Sequence, residues 1–323
     1  MATFRPMNIE TDAADMARLY STIVPDPITA ETAREWWTRH EGEIRFTMLA
    51  EDENKKIIGY WDVDRETWMK PGHFFVKIIV DPGQRCKGLG TQMYADALRF
   101  ARGQGATHLE SDVDETDTAS REFAEARRFK IVHHSFNSSL DLTTFDEHRS
   151  DSLMARLHAQ GFRFFSLAEV GVTEENKRRL YEVNRASGLD NPGNDQTFPD
   201  FYAFSKNVFE ASWFRADTQI IAAQGDHWVG LSAVALYPDD KHAANAFTGV
   251  LREYRGRGLA QALKLQTALL ARGQGMRVIR TNNDSENAPM LAVNRKLGYV
   301  PEPGMYSLLR VLEPEGDQNA VAA

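Results

Sequence analysis

Two segments of this chain are versions of one another. Val80–Gly90 reads VDPGQRCKGLG, and 170 residues later Val250–Ala260 reads VLREYRGRGLA. At the same offset ARGQG stands unchanged at Ala101–Gly105 and Ala271–Gly275, and Phe129 matches Tyr299. Three anchors at one spacing, across about fifty residues, indicate a duplicated domain, and two copies are too few for a solenoid. The length of 323 residues agrees, being that of about two ordinary domains.

Each copy carries the same order of local signals. In the first, Phe46–Glu51 and Lys56–Asp64 flank a polar turn and predict a hairpin. His73–Val80 is a short apolar, β-branched run that predicts a buried strand, and the glycine-rich loop leads from it into a helix over 89–103. In the second, the hairpin falls in 222–236 and the strand in 242–250, and the helix carries Leu259, Ala262, Leu263, Leu269 and Leu270 near a 3.6 period. Gln266 falls on that same face and Leu265 lies to one side of it. A strand follows each helix (107–113 and 276–281), then a second helix (118–127 and 288–296), then further strand-like runs. The expected organisation is an N-terminal domain over 1–145, a linking helix over 146–161 with Leu153 and Leu157 at helical spacing, a C-terminal domain over 162–312, and a frayed tail over 313–323.

Composition narrows the class of function. No stretch approaches the ~20 apolar residues of a membrane-spanning helix, and the N-terminus lacks a cationic start followed by an apolar run, so no membrane partner and no secretory signal are expected. The one cysteine, Cys86, forms neither an internal disulfide nor a cysteine-rich zinc site; a reducing cytoplasm and no metal are expected. A net charge of −8 argues against sequence-independent nucleic-acid binding and favours the approach of a cationic substrate.

Both glycine loops have the form R-x-x-G-x-[GA]: Arg85, Gly88 and Gly90, then Arg255, Gly258 and Ala260. A strand, a glycine-rich loop and a helix start make an anion site, because uncapped N–H groups and the helix dipole point at the loop and glycine lets the backbone come close. Arg252, Arg255 and Arg257 add positive charge suited to a polyanion. There is no G-x-x-x-x-G-K-[ST], and no G-x-G-x-x-G with a ribose-binding acid.

Val80–Gly90 and Val250–Ala260 resemble the acyl-CoA-binding motif of the GNAT superfamily of N-acetyltransferases, and Thr281–Tyr299 resembles the end of that domain. The resemblance covers nearly the whole chain as a tandem, in the layout of mycothiol synthase-like proteins. It implies an α/β fold, each copy a mixed sheet that splays between its fourth and fifth strands to admit the pantetheine arm. It implies acetyl-CoA as cofactor, with the pyrophosphate held by backbone N–H groups of Arg257, Gly258, Leu259 and Ala260, and of Lys87, Gly88, Leu89 and Gly90, at the ends of the strands closed by Val250 and Val80. It implies an N-acetyltransferase acting on a primary amine of a small molecule by direct transfer in a ternary complex. Other readings are a non-catalytic acyl-CoA-binding or sensing protein, or a protein lysine acetyltransferase. The tandem packs as a pseudo-dimeric monomer, or the chain forms a homodimer.

The catalytic groups are less legible. An amine of pKa near 10.4 is about one part in two thousand neutral at pH 7, a cost of about 4–5 kcal/mol, whereas a thiol of pKa about 8.5 is a fair leaving group. A missing base therefore hurts more than a missing acid. The family often takes its base from a Glu on the fourth strand, but 243–250 holds no carboxylate; Glu253, Asp284, a substrate-contacting residue elsewhere or bulk water through a chain are the substitutes, none with a special claim. The family's acid is usually a Tyr where this chain has Asn294 and, in the first copy, Ala124; Asn294 either donates to the sulfur or only holds the helix end, and Tyr306 is an alternative donor. The resemblance places Asn283 and Asn287 beside the pantetheine, where the fifth strand gives way to the next helix, against Val113 and Asp117 in the first copy, which favours the C-terminal copy as the working one. Phe198, Phe201, Tyr202, Phe204, Phe209, Trp213 and Phe214 either line an acceptor pocket or pack the fold, and Trp36 and Trp37 in the first copy carry the same two readings. Cys86 at a helix start is either a reactive thiol or an ordinary loop residue. His133 and His134 are adjacent, face opposite sides of a strand, and do not make a metal site.

Overall fold

The computed structural model describes residues 2–24, 27–38, 44–67, 69–190 and 197–313; most of the expected tail lies outside them. Two compact units result, Met1–His133 with Met305–Ala323, and His134–Gly304. Among the described residues no helix is long and apolar enough to cross a membrane.

The first unit contains β1 (Thr3–Pro6), α1 (Ile9–Tyr20), α2 (Ala30–Thr38), β2 (Ile44–Glu51), β3 (Ile57–Arg65), β4 (His73–Val80), α3 (Leu89–Gly103), β5 (His108–Asp114) and α4 (Thr118–Glu125). The polar turn at 52–56 holds the β2–β3 hairpin, since the Asp52 carboxylate accepts from the N–H groups of Asn54 and Lys56. Met93, Ala97 and Ala101 of α3 pack on Trp61, Val63, Phe74 and Leu109 on one face of the sheet. On the other, Met16, Leu19 and Ala33 of α1 and α2 pack on Leu49, Tyr60 and Ile79. A strand covered on both faces needs apolar residues on both, and His73–Val80 supplies them with Lys77 as the one charged residue among Phe74–Val80.

The second unit begins within β6 (Lys130–Asp141) and continues through α5 (Asp151–Ala159), β7 (Phe162–Ser166), α6 (Leu167–Val170), α7 (Glu174–Leu189), α8 (Phe201–Val208), β8 (Gln219–Gln224), β9 (His227–Tyr237), β10 (His242–Val250), α9 (Leu259–Gly273), β11 (Val278–Asp284) and α10 (Ala288–Leu297). Within 146–161 the helix α5 packs into this unit, with Leu153 and Leu157 buried against Phe162, Ile220 and Leu259. One face of the sheet takes α9, the other α7 and α8. The expected stripe of α9 is too narrow. Leu265, Thr267 and the charged Lys264 are buried too, while Leu269 and Leu270 are only half-buried.

The final strands are exchanged between the units. In the second, the sheet order is β6-β11-β10-β9-β8-β7, with β6 antiparallel to β11 from Asp141↔Val278 to Ser135↔Asp284. The first unit is β1-β2-β3-β4-β5 plus β12 (Val300–Val311), whose half from Met305 onward runs antiparallel to β5, Met305↔Asp114 to Val311↔His108. The strand that ends the first repeat thus completes the second unit, and the strand that ends the second repeat completes the first. Sequence repeat and compact unit are different partitions of the chain.

Chains 1–145 and 146–323, made separately, are therefore each expected to lack a strand of a sheet. Circular dichroism and gel filtration should find well-folded protein only when both are co-expressed; two halves that melt cooperatively on their own would contradict the exchange.

Candidate functional site

Both units contain a parallel pair that stays together for only part of its length. In the first, β4 and β5 are registered over three rungs, His73↔His108 to Phe75↔Glu110. In the second, β10 and β11 run together from His242↔Val278 to Asn245↔Thr281, and then part. Beyond that rung Phe247–Val250 of β10 keeps β9 on one edge and Asn282–Asp284 of β11 keeps β6, so the two edges facing each other are open. Unpaired strand edges present a row of N–H and C=O groups to an extended guest. This is the splay that the resemblance implied.

The two forks differ at one point. β10 carries a bulge: its register on β9 shifts between Asn245 and Phe247, leaving Ala246 without an opposite residue. β4 pairs with β3 without interruption from Asp64↔Phe75 to Gly59↔Val80. Bulges re-aim backbone groups and cluster beside active sites. This one is pinned from within. The Asn245 amide donates to Ala233 O (3.0 Å) and Ser232 Oγ (3.2 Å), and its Oδ1 accepts from Thr248 Oγ1 at 3.0 Å.

The loops that follow have the geometry of anion sites. Gly88 (φ 85°) and Gly258 (φ 94°) are the N-caps of α3 and α9, both left-handed and both without a side-chain cap bond, so the first-turn N–H groups are unclaimed by a side chain. Arg85 and Arg255 also brace the loops: their Nε atoms donate to Val80 O (3.2 Å) and Val250 O (3.0 Å), and Arg255 pairs with Asp190 at 2.9 Å. Arg257 is exposed, its guanidinium 5.5 Å from the Tyr254 ring centre. Lys87, its repeat partner, donates to Gly83 O at 2.8 Å. Leu259 and Leu89 anchor the helix starts in the cores. At Gly90 a Cβ would meet the Phe123 ring at 3.3 Å; the second loop carries Ala260 at this position. Cys86 is exposed with φ 59°, at the repeat position of Gly256, whose φ is 77°.

Of the residues expected at the chemistry, the structure brings some together and separates others. Asn294 is buried in the second unit and donates to Asn283 Oδ1 at 2.7 Å; Asn283 donates in turn to Ser138 Oγ at 2.9 Å and Phe136 O at 3.0 Å. Asn287 caps α10 by accepting from Met290 N, as Asp117 caps α4 by accepting from Ser120 N. Tyr306 belongs to the first unit, opposite Val113 on β5 and against that unit's core. Among the aromatics, Phe204 is buried with Phe198, Phe209 and Phe214 packed around the same core, whereas Tyr202 is exposed.

One residue at this place was not singled out by the sequence reading. Lys264 of α9 is 1% exposed, its Nζ 3.4 Å from Thr281 Oγ1 and 4.7 Å from the centre of the Tyr299 ring. Burial pushes its ammonium down to about 7, with no charged partner to offset the loss of water. The hydroxyl of that tyrosine is buried without a hydrogen-bond partner, as is Asn294 Oδ1, and burial raises the Tyr299 phenol. The sequence offered one signal: position 264 lies between Leu263 and Leu265 and four residues from both Ala260 and Ala268, which puts it on an apolar side of the helix.

A parallel pair that parts, followed by a glycine loop and an uncapped helix start, occurs in both units. The acetyltransferase (GNAT) family model matches residues 12–129 and 180–299, most of the chain. The chain belongs to that family, with two such domains in tandem. A solved GCN5-related N-acetyltransferase from Sphaerobacter thermophilus is similar at 18% identity and TM-score 0.68, over 98% of this chain and 97% of that one. A tandem GNAT protein from the clavulanic acid biosynthesis pathway is similar at 18% identity and TM-score 0.62, over 98% of this chain and 100% of that one. A GCN5-related glucosamine N-acetyltransferase region in a fungal multi-domain GH3 beta-N-acetylglucosaminidase aligns with 96% of this chain at 17% identity and TM-score 0.68; the chain spans 38% of that protein. No curated protein matched the sequence.

The buried lysine makes stability depend on pH. Unfolded, Lys264 holds its proton up to its ordinary value of 10.5; folded, it holds it only up to about 7. Its cost to stability is therefore full below pH 7 and is relieved as pH rises from 7 to 10.5. Lys264→Met is expected to stabilise the protein by up to about 4 kcal/mol at pH 7, with the gain fading towards pH 10.5. Urea unfolding across that range checks this; a destabilised variant, or a gain independent of pH, would contradict it.

Proposed function

We propose that the protein is an acetyl-CoA-dependent N-acetyltransferase that passes an acetyl group to a primary amine of a small molecule by direct transfer in a ternary complex, with the second unit as the working site. The observation that carries this reading is the coincidence, in that unit, of the fork after Asn245↔Thr281 with the bulge at Ala246. The first unit has a fork and a glycine loop, but its β4 is unbroken.

The residues fit the ligand. The open edges of β10 and β11 suit the amides of an extended pantetheine arm, and the α9 start with exposed Arg257 suits its phosphates. When bound, acetyl-CoA supplies the acetyl group as a thioester. The bulge frees backbone polar groups at the base of the fork, where an oxyanion needs fixed donors. Direct transfer is supported by the absence of any cysteine from 134–304, which leaves that unit no thiol to carry the acetyl group. The net charge of −8 favours a cationic acceptor.

A steady-state assay with acetyl-CoA and a panel of amines, read by thiol release, tests the activity; intersecting double-reciprocal lines are expected for a ternary complex. Tight CoA binding without turnover on any amine or protein would instead make this an acyl-CoA-binding protein, and turnover only on lysines of a protein would make it a protein acetyltransferase.

Charge reversal separates the two units. Gly258 is a poor site for it, because a Cβ there meets Leu153 Cδ1 at 2.7 Å while one on Gly88 meets nothing. Arg257 and Lys87 are exposed and equivalent. Arg257→Glu is expected to lower kcat/KM for acetyl-CoA by about tenfold or more and Lys87→Glu to change it little. Equal losses, or a larger loss from Lys87→Glu, would move the working site.

A further inference from the structure

Lys264 stands where the two strands part. Thr281 is the last rung that β11 shares with β10, and the lysine amine lies 3.4 Å from its hydroxyl. Two residues further along the same face, Asn283 holds Asn294, the residue at the position where the family pattern has an acidic tyrosine. Lys264, Thr281, Asn283 and Asn294 thus form one polar lining between α9, α10 and the base of the fork, inside an otherwise apolar core. Nothing in the folding of the unit requires an amine there. It is buried against a hydroxyl and the ring of Tyr299, whose phenol has no hydrogen-bond partner among the described residues, and the same Thr281 is joined through Asn283 to Asn294, whose carboxamide oxygen is buried and unpartnered as well. The first unit has Tyr94 at the equivalent position, with its hydroxyl hydrogen-bonded by Arg310 and Arg127 over its ring.

We propose that Lys264 is a catalytic residue of the second unit, the acid that protonates the departing sulfur. This rests on the reading of that unit as the acetyl-CoA site. The acceptor nitrogen bonds to the acyl carbon as the carbon–sulfur bond breaks, and the electron pair leaves on sulfur. Sulfur takes a proton from the Lys264 ammonium, leaving a neutral amine and free thiol. The proton lost by the acceptor nitrogen restores the ammonium, so charge and protons balance over one turnover. A donor near 7 passes its proton downhill to the thiolate of an ordinary alkyl thiol, pKa about 8.5. Half-protonated at neutral pH, the same amine is readily recharged. The lining also accounts for a family position occupied by Asn294: with the acid on α9, the carboxamide needs only to orient Asn283.

The test reads the amine itself. Protein labelled with ¹³C at the lysine ε-carbon, its Lys264 signal assigned by loss in Lys264→Met, is titrated with pH alone, with CoA, and with desulfo-CoA, which lacks the sulfur. Binding of both ligands is followed separately by calorimetry. The Lys264 signal is expected to titrate near 7, to move with CoA and to stay with desulfo-CoA. Lys264→Met should still bind CoA within about threefold, lose at least tenfold in kcat, and lose the limb of the kcat–pH profile near 7. Binding of both ligands with the same Lys264 response, or a kcat unchanged by Lys264→Met, overturns the proposal alone. Failure of CoA to bind the second unit overturns the underlying reading and the proposal with it.

Discussion

A parallel pair of strands that stops pairing after one particular rung governs what this protein can hold. Up to Asn245↔Thr281 the ladder of the second unit is closed; past it, two strands with partners only on their outer edges leave inner polar groups exposed to whatever enters. The strands are kept apart by their other commitments. β11 is tied to β6, and β10 to β9 through a bulge that the Asn245 side chain pins. At Gly249 a Cβ would stand 2.5 Å from Ser187 Cβ, so α7 closes against the parted half of β10 only because that residue is glycine.

The helices complete the arrangement from one side. α9 begins at a left-handed glycine, which turns its uncapped end towards the mouth of the fork, and α5 lies across that start with Leu153 against Gly258. Further along, α9 is sunk so deeply that Lys264 loses its water. A lysine there opposes stability, and a unit that retains one has a reason other than packing. The family fold thus hosts a polar cluster whose members come from α9, β11 and α10.

Much of the scaffold was legible from residues alone. The β4 and β10 strands and the start and end of α3 follow from apolar runs, glycine stops and periodicity, all of which act over a few residues. The glycine loops and their left-handed caps at Gly88 and Gly258 were legible for the same reason. Other features depend on contacts between distant residues. Tyr306 sits ten residues from Lys296 in sequence but pairs with Val113, because β12 joins the first unit's sheet; no local pattern encodes which β5-like edge a final strand chooses. The bulge that distinguishes β10 from β4 arises from a register against β9, and the chain from Asn294 through Asn283 to Ser138 joins residues far apart in sequence.

By itself the sequence determined that there are two copies of one α/β domain, where each glycine loop lies, and that both loops can face an anion, because helix dipoles, glycine conformations and apolar periodicity are local properties. Only the tertiary structure decided which strand completes which sheet, where the parallel pair opens, and that Lys264 stands buried at that opening. Those outcomes depend on edge pairing and desolvation, which are set by residues far apart in the chain.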